Sequence, residues 1–255
     1  MRRIGAKKER DVPLRSKVAA LAVAAVAAGG FAGRDRVLPD VLEHLSLAES
    51  GAAHGRFNAA LAHAQMVLLQ DVVRYRIAFD DGSAPREAEC REALNRAFDL
   101  WRSALQWEVD FQEAGPGHQA ELTVTFQQAN PSRNRMSAGH IEWRRTVVLH
   151  GDRFETKFEA DIRIRTVRPG GRPMTVDQIA HAASHELGHV FGLKDSRKIG
   201  EIMGPLDLRR PARRLAARET EAIFELRRRA RQIRGESLLA GLWGLEGYNR
   251  LRAAD

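Results

Sequence analysis

The 255-residue sequence predicts an α+β fold with helical N- and C-terminal extensions, and three observations carry that prediction. Strand-type alternation recurs in the middle of the chain, a long apolar stripe at helical spacing separates the first strand from the rest, and both ends carry three- and four-residue periodicity. A hydrophobic content of 44% is ample for one core.

In chain order, Arg2, Arg3, Lys7, Lys8, Arg10, Arg15 and Lys17 precede an apolar run over residues 18–28 and the small residues Gly29, Gly30, Ala32 and Gly33. That order of basic, apolar and small segments predicts a signal peptide or N-terminal anchor over residues 1–33, and so an exported protein; without a signal the chain is cytoplasmic. The run is too short to span a bilayer as a stable helix. Residues 38–71 predict a helical hairpin, with Leu42, Leu45, Phe57, Leu61 and Leu68 on its apolar side and a break at residues 51–55, so that 34–71 forms a helical extension or pro-segment.

Val73, Tyr75, Ile77 and Phe79 alternate with polar or small residues, a strand with one buried face ended by Asp80-Asp-Gly. Cys90, Leu94, Ala97, Phe98, Trp101 and Leu105 then make a helical stripe, which assigns the single cysteine to the core rather than to a nucleophile. One cysteine allows neither an intramolecular disulfide nor a cysteine-based structural zinc site. Further strands are expected at residues 107–111, 122–126, 141–149 and 158–166, with a polar loop at 127–139. After the break at Pro169-Gly-Gly-Arg-Pro, a helix capped by Thr175 buries Ile179, Ala183, Leu187, Val190 and Phe191. The organisation expected is therefore a core domain over residues 72–229 and a basic, amphipathic helical tail over 230–255.

The formal charge of +8 and pI near 10.3 would suggest an anionic partner, but the excess sits mainly at the ends. Residues 209–234 hold ten arginines and three glutamates around the stripe Ala222, Ile223, Leu226, Ala230 and Ile233. A solvated helix face is the ordinary reading. Contact with an anionic surface is the alternative, and nucleic acid is disfavoured because no aromatic interleaving or reading motif accompanies the charge. Leu238, Leu239, Leu242, Trp243, Leu245 and Tyr248 are expected to pack, with the front helices as the candidate partner. Nothing in the sequence sets the oligomeric state.

The helix after Thr175 contains His185-Glu-Leu-Gly-His189. Four residues make slightly more than one turn, so both imidazoles leave one face about 6 Å apart and can close on one metal ion, with Glu186 beside them as a general base. Three fixed positions are weak alone, since at ~1 in 20 each such a chain shows them by chance a few times in a hundred. Gly192 and Asp195 extend the match to H-E-x-x-H-x-x-G-x-x-D. A glycine three residues past the second histidine can end the helix in a left-handed conformation and return Asp195 to the metal.

With these residues, and with Ile202-Met203-Gly204-Pro205 at the spacing of a Met-turn, the sequence resembles the metzincin zinc peptidases, matrixin-like and snapalysin-like members in particular. The order of strands, helix, edge strand, active-site helix, Met-turn and final helix near residues 219–226 resembles the matrixin catalytic domain, and the resemblance implies a zincin-like mixed twisted sheet with an edge strand. The resemblance implies one catalytic Zn2+ held by His185, His189 and Asp195, Glu186 as catalytic base, Gly192 and Met203 as structural support, and endopeptidase activity on peptide or protein substrates. It further implies that substrate runs extended along the edge strand at 141–149 and that residues 203–208 wall the pocket. Asp195 departs from the histidine usual in matrixins, and the cysteine that keeps matrixin precursors latent has no counterpart before Val72.

Two other ligand sets fit the sequence less well. His181 shares the helix face, but it and His189 are about 12 Å apart along the axis, too far to share an ion. Glu219 or Glu221 would be the third ligand of a gluzincin arrangement, which leaves Gly192 and Met203 without a role. A different class of reading is a non-catalytic interaction protein on the same zinc-type scaffold.

Overall fold

The structure, a computed structural model, describes residues 33–129, 137–150 and 153–252, with side chains followed as far as residue 241. The signal or anchor expected over residues 1–33 lies outside the described residues except for Gly33, and so does most of the polar loop, residues 130–136. No helix among the described residues is long and apolar enough to cross a membrane.

The front of the chain is a helical hairpin, α1 (Pro39–Ala53) and α2 (Phe57–Leu68). Pro39 opens α1 where its missing N–H costs nothing, and Gly55, at φ +71°, turns the chain between the helices. Then follow β1 (Val72–Phe79), α3 (Glu87–Ala104), β2 (Asp110–Glu113), β3 (Leu122–Gln127), β4 (Gly139–His150), β5 (Arg153–Arg165), α4 (Val176–Val190) and α5 (Ala217–Arg252). The sheet runs β2-β1-β3-β5-β4, with every neighbouring pair parallel except the antiparallel edge strand β4. The α+β architecture is the one the sequence predicts, and the mixed sheet and edge strand are those its resemblance implies.

The core joins the sheet to the helices through large side chains. Phe98 stacks on Phe111 at 4.1 Å and tilts onto Tyr75 at 4.7 Å, fixing α3 against β1 and β2. Trp101 is fully buried, lies 4.9 Å from the Phe191 ring and donates its indole N–H to the Ser184 carbonyl of α4 at 2.9 Å. A buried tryptophan of this kind stabilises by about 3–5 kcal/mol relative to alanine. Cys90 is completely buried, and burial pushes its thiol up to about 11, as the core assignment expects.

Three sequence expectations need correction. The strand expected at 107–111 begins only at Asp110, because Gln106 and Trp107 adopt left-handed φ values of +54° and +63° and spend their N–H groups on Ser103 and Arg102 carbonyls of α3. β5 starts at Arg153 rather than 158: its first half pairs with β4 alone, in a hairpin reaching past the rest of the sheet. That half is largely exposed, so no burial alternation marks it. The final helix is the third case. Expected near 219–226 with a separate tail, it runs unbroken to Arg252 across residue 229.

That helix packs against α1 and α2, but of the last segment, expected to pack on those helices, Leu238 and Leu239 are nearly half exposed. Leu242, Trp243, Leu245 and Tyr248 lie beyond the described side chains. Several of the tail arginines have carboxylate partners: Arg227 and Arg231 on Glu108, Arg229 on Glu49 at 3.2 Å, and Arg228 on Glu225 at 2.7 Å.

Candidate metal centre

The helix that carries the paired histidines is set at both ends by local chemistry. Thr175 and Gln178 form a reciprocal capping box, the Gln178 carboxamide oxygen accepting the Thr175 N–H at 3.0 Å while Thr175 Oγ1 accepts the Gln178 N–H at 3.4 Å. At the other end Gly192 takes φ +95°. Its N–H bonds the His189 carbonyl at 3.0 Å and the Leu193 N–H bonds the Gly188 carbonyl at 2.9 Å, the two bonds of a Schellman cap. The chain is thereby reversed, and Asp195 comes back over the helix face it has just left.

Three donor groups converge there. His185, His189 and Asp195 each offer a ligand atom within 4.8 Å of the others. Asp195 Oδ1 lies 3.0 Å from His185 Nε2 and 3.4 Å from His189 Nε2. The opposite ring nitrogens are committed to the main chain, His185 Nδ1–H donating to Ile202 O at 2.9 Å and His189 Nδ1–H to Leu193 O at 2.8 Å. In the neutral rings both Nε2 atoms therefore present lone pairs to a carboxylate oxygen, an arrangement that only a proton or a cation can reconcile. The electrostatics agree. Burial alone would lower His185, but the bond to Asp195 and the nearby Glu186 charge raise it overall, while those same imidazoles hold the Asp195 carboxyl well below the usual carboxylate range.

Glu186 is buried, and burial raises its carboxyl above the ordinary value against the pull of the two imidazoles. It is packed against the start of the edge strand: a Cβ on Gly139 would fall 2.3 Å from Glu186 Oε1. Only glycine lets β4 pass this close.

The Met-turn expected at 202–205 lies under the histidines. Met203 is buried, and a Cβ on Gly188 would sit 2.1 Å from its sulfur, so the glycine inside the His185–His189 pair is the space the methionine occupies. Glu219, the rival third ligand, is engaged elsewhere. Its carboxylate accepts the N–H groups of Met203 at 2.7 Å and Ala216 at 2.6 Å, which pins the Met-turn to α5. Glu221 is exposed on α5. Neither joins the cluster of three.

His181 is buried one turn before His185, and its Nδ1 accepts the Ala212 N–H at 3.0 Å, holding residues 203–212 along α4. Burial, then the His185 charge, lowers it to about 4. Unfolded chains bind this proton first, near pH 6.5. Stability contributed by the neutral ring is complete above that value and is lost as pH falls towards about 4. In metal-free protein, the stability difference between wild type and His181→Gln should shrink by on the order of 3 kcal/mol from pH 7 to pH 4. Denaturant titrations at both pH values measure it, and a pH-independent difference would refute the assignment.

The family model for matrixin matches residues 68–226, well over half of the chain. The chain belongs to the matrixin family. This is a family of zinc metallopeptidases acting on peptide or protein substrates, which accords with a His-His-Asp cluster able to hold a metal. No curated protein matches the chain.

Within this matrixin domain, sequence reasoning missed Gly139 and Gly188 and weighed Glu219 only as a rival ligand; the roles of all three follow from contacts across the fold. Gly188 alone left a signal, since a glycine inside a well-packed helix asks for a packing reason.

Proposed function

We propose that this matrixin-family protein is a zinc endopeptidase in which His185, His189 and Asp195 hold the ion and Glu186 is the general base. The observation that carries the reading is the convergence of the two Nε2 lone pairs and Asp195 Oδ1, with both Nδ1 atoms tied to backbone carbonyls. Two imidazoles and a carboxylate are a donor set suited to zinc, and three protein ligands leave the open position of a catalytic site. Zinc held there supplies Lewis acidity at the substrate carbonyl and makes water nucleophilic near neutral pH.

The protein's own groups do the rest. Glu186 takes the proton of the attacking water and passes it to the leaving nitrogen, so the bond broken is the peptide C–N and one carboxylate serves first as base and then as acid. Its elevated proton affinity suits the second role. The edge strand β4 offers unpaired backbone groups to an extended peptide, with Gly139 keeping the strand within reach of Glu186. Residues 203–208 continue from the Met-turn as the neighbouring wall. Export, proposed from residues 1–33, would place the activity on extracellular or envelope proteins.

Metal analysis of the purified protein, coupled to cleavage of an unstructured protein, tests the reading. One zinc per chain, hydrolysis lost on chelation and recovered with added zinc are expected. A metal-free protein inert with every divalent ion would favour a non-catalytic binding role on the same scaffold.

A further inference from the structure

The family match begins at residue 68, yet residues before it pair with the loop bearing Asp195. Val37 forms an antiparallel bridge with Leu193, the Leu38 N–H bonds the Gly192 carbonyl at 2.7 Å, and the Lys194 N–H bonds the Arg36 carbonyl at 2.9 Å. Residues 36–38 thus lie as a short strand against residues 192–194, directly ahead of the third candidate ligand. The Arg36 side chain reaches Glu201 at 3.4 Å, and Glu201 holds the Ser196 hydroxyl at 2.5 Å. The loop is gripped on both sides of Asp195.

A second set of contacts reaches the histidines. Asp40 Oδ2 accepts Trp143 Nε1–H at 2.8 Å and Arg145 at 2.6 Å. Trp143 stacks parallel to the His189 ring at 6.0 Å, and Arg145, nearly inaccessible, also donates to the last carbonyl of α4, Val190 O, at 2.7 Å. Val41 touches the Gly192 cap, where a Cβ would come within 3.1 Å of it.

We infer that residues 33–41 are a permanent strap that positions the Asp195 loop and the His189 ring, with Asp40 as its positioning residue, so that the α1–α2 hairpin is retained in the active protein rather than removed from a latent one. Two further observations favour retention. Val37, Val41, Leu45 and Ala48 are buried in the same core as the sheet, so losing the hairpin would uncover that core. Nor does the docked hairpin block the centre: the Asp195 side chain stays 76% exposed, and no cysteine precedes Val72 to cap an ion.

The inference rests on the zinc reading for its consequence but not for its test, which uses the full chain carrying Asp40→Ala. Hydrogen exchange on metal-free protein should show the Lys194 amide, which bonds the Arg36 carbonyl, exchanging at least tenfold faster than in wild type, with amides of β3 unchanged. Zinc affinity by chelator competition should fall 10- to 100-fold, as for other groups that orient ligands. Should Asp40→Ala fail to fold, Leu38→Pro replaces it. Leu38 already has φ −60°, so proline fits the backbone while deleting the N–H that bonds Gly192.

Exchange within twofold of wild type at Lys194 in the folded variant overturns the strap. So does unchanged zinc affinity accompanied only by a lower melting temperature, or an active species whose mass shows that it begins after residue 68. If the wild-type chain binds no zinc, the zinc reading fails and the exchange result alone decides the strap.

Discussion

Glu186→Gln is expected to lower peptide hydrolysis by about 10²- to 10⁴-fold, the range that a positioned general base contributes, while one zinc stays bound per chain. Glutamine has the shape of glutamate, so the close approach of Gly139 and the packing of α4 survive the change. The candidate ligands are other residues, and their orientation comes from hydrogen bonds to the Ile202 and Leu193 carbonyls. Ligation and proton transfer are therefore separable in this site. The measurement pairs kcat/KM on a fluorogenic peptide with metal content on the same preparation. Turnover within tenfold of wild type would remove Glu186 from the mechanism, and loss of zinc together with activity would make it part of the ligand set.

How much of this was legible in the sequence depends on the range of the interaction. His185, Glu186 and His189 are read from helical spacing, and Gly192 from the demand for a left-handed residue at the helix end, because both signals are local. β1, β3 and α3 are equally plain, since each buries one face and the periodicity records it. The outer half of β5 buries almost nothing, so its pattern is blank, and Trp107 has strand-type chemistry but follows a helix whose last carbonyls claim its N–H. Asp40, Trp143 and Arg145 are the instructive cases. Asp40 lies 103 and 105 residues before the other two, and each alone is an ordinary exposed-looking polar or aromatic residue; only the fold shows a buried guanidinium bridging a carboxylate and the end of α4. Glu219 looked like a possible ligand for a similar reason. Sequence shows that a carboxylate exists at a feasible distance, not that the Met203 and Ala216 amides have already engaged it.

Asp195→Ala should raise the zinc dissociation constant by more than 100-fold, beyond the 10- to 100-fold that loss of an orienting partner usually costs. The side chain is mostly exposed, so little packing is lost and the effect is confined to the centre. What disappears is the one anionic donor between two imidazoles, and with it the charge that draws a cation to the site. Two histidines four residues apart still bind zinc, but with an incomplete donor set. The same variant discriminates between ligand schemes. Were Glu219 or Glu221 the third ligand, zinc affinity would be untouched by Asp195→Ala; with Asp195 as ligand, Glu221→Ala leaves affinity unchanged and Glu219→Ala acts through the Met-turn, lowering thermal stability because two backbone amides lose their acceptor. Competition titrations on the three variants give opposite orders under the two schemes, so a single series settles which carboxylate completes the site.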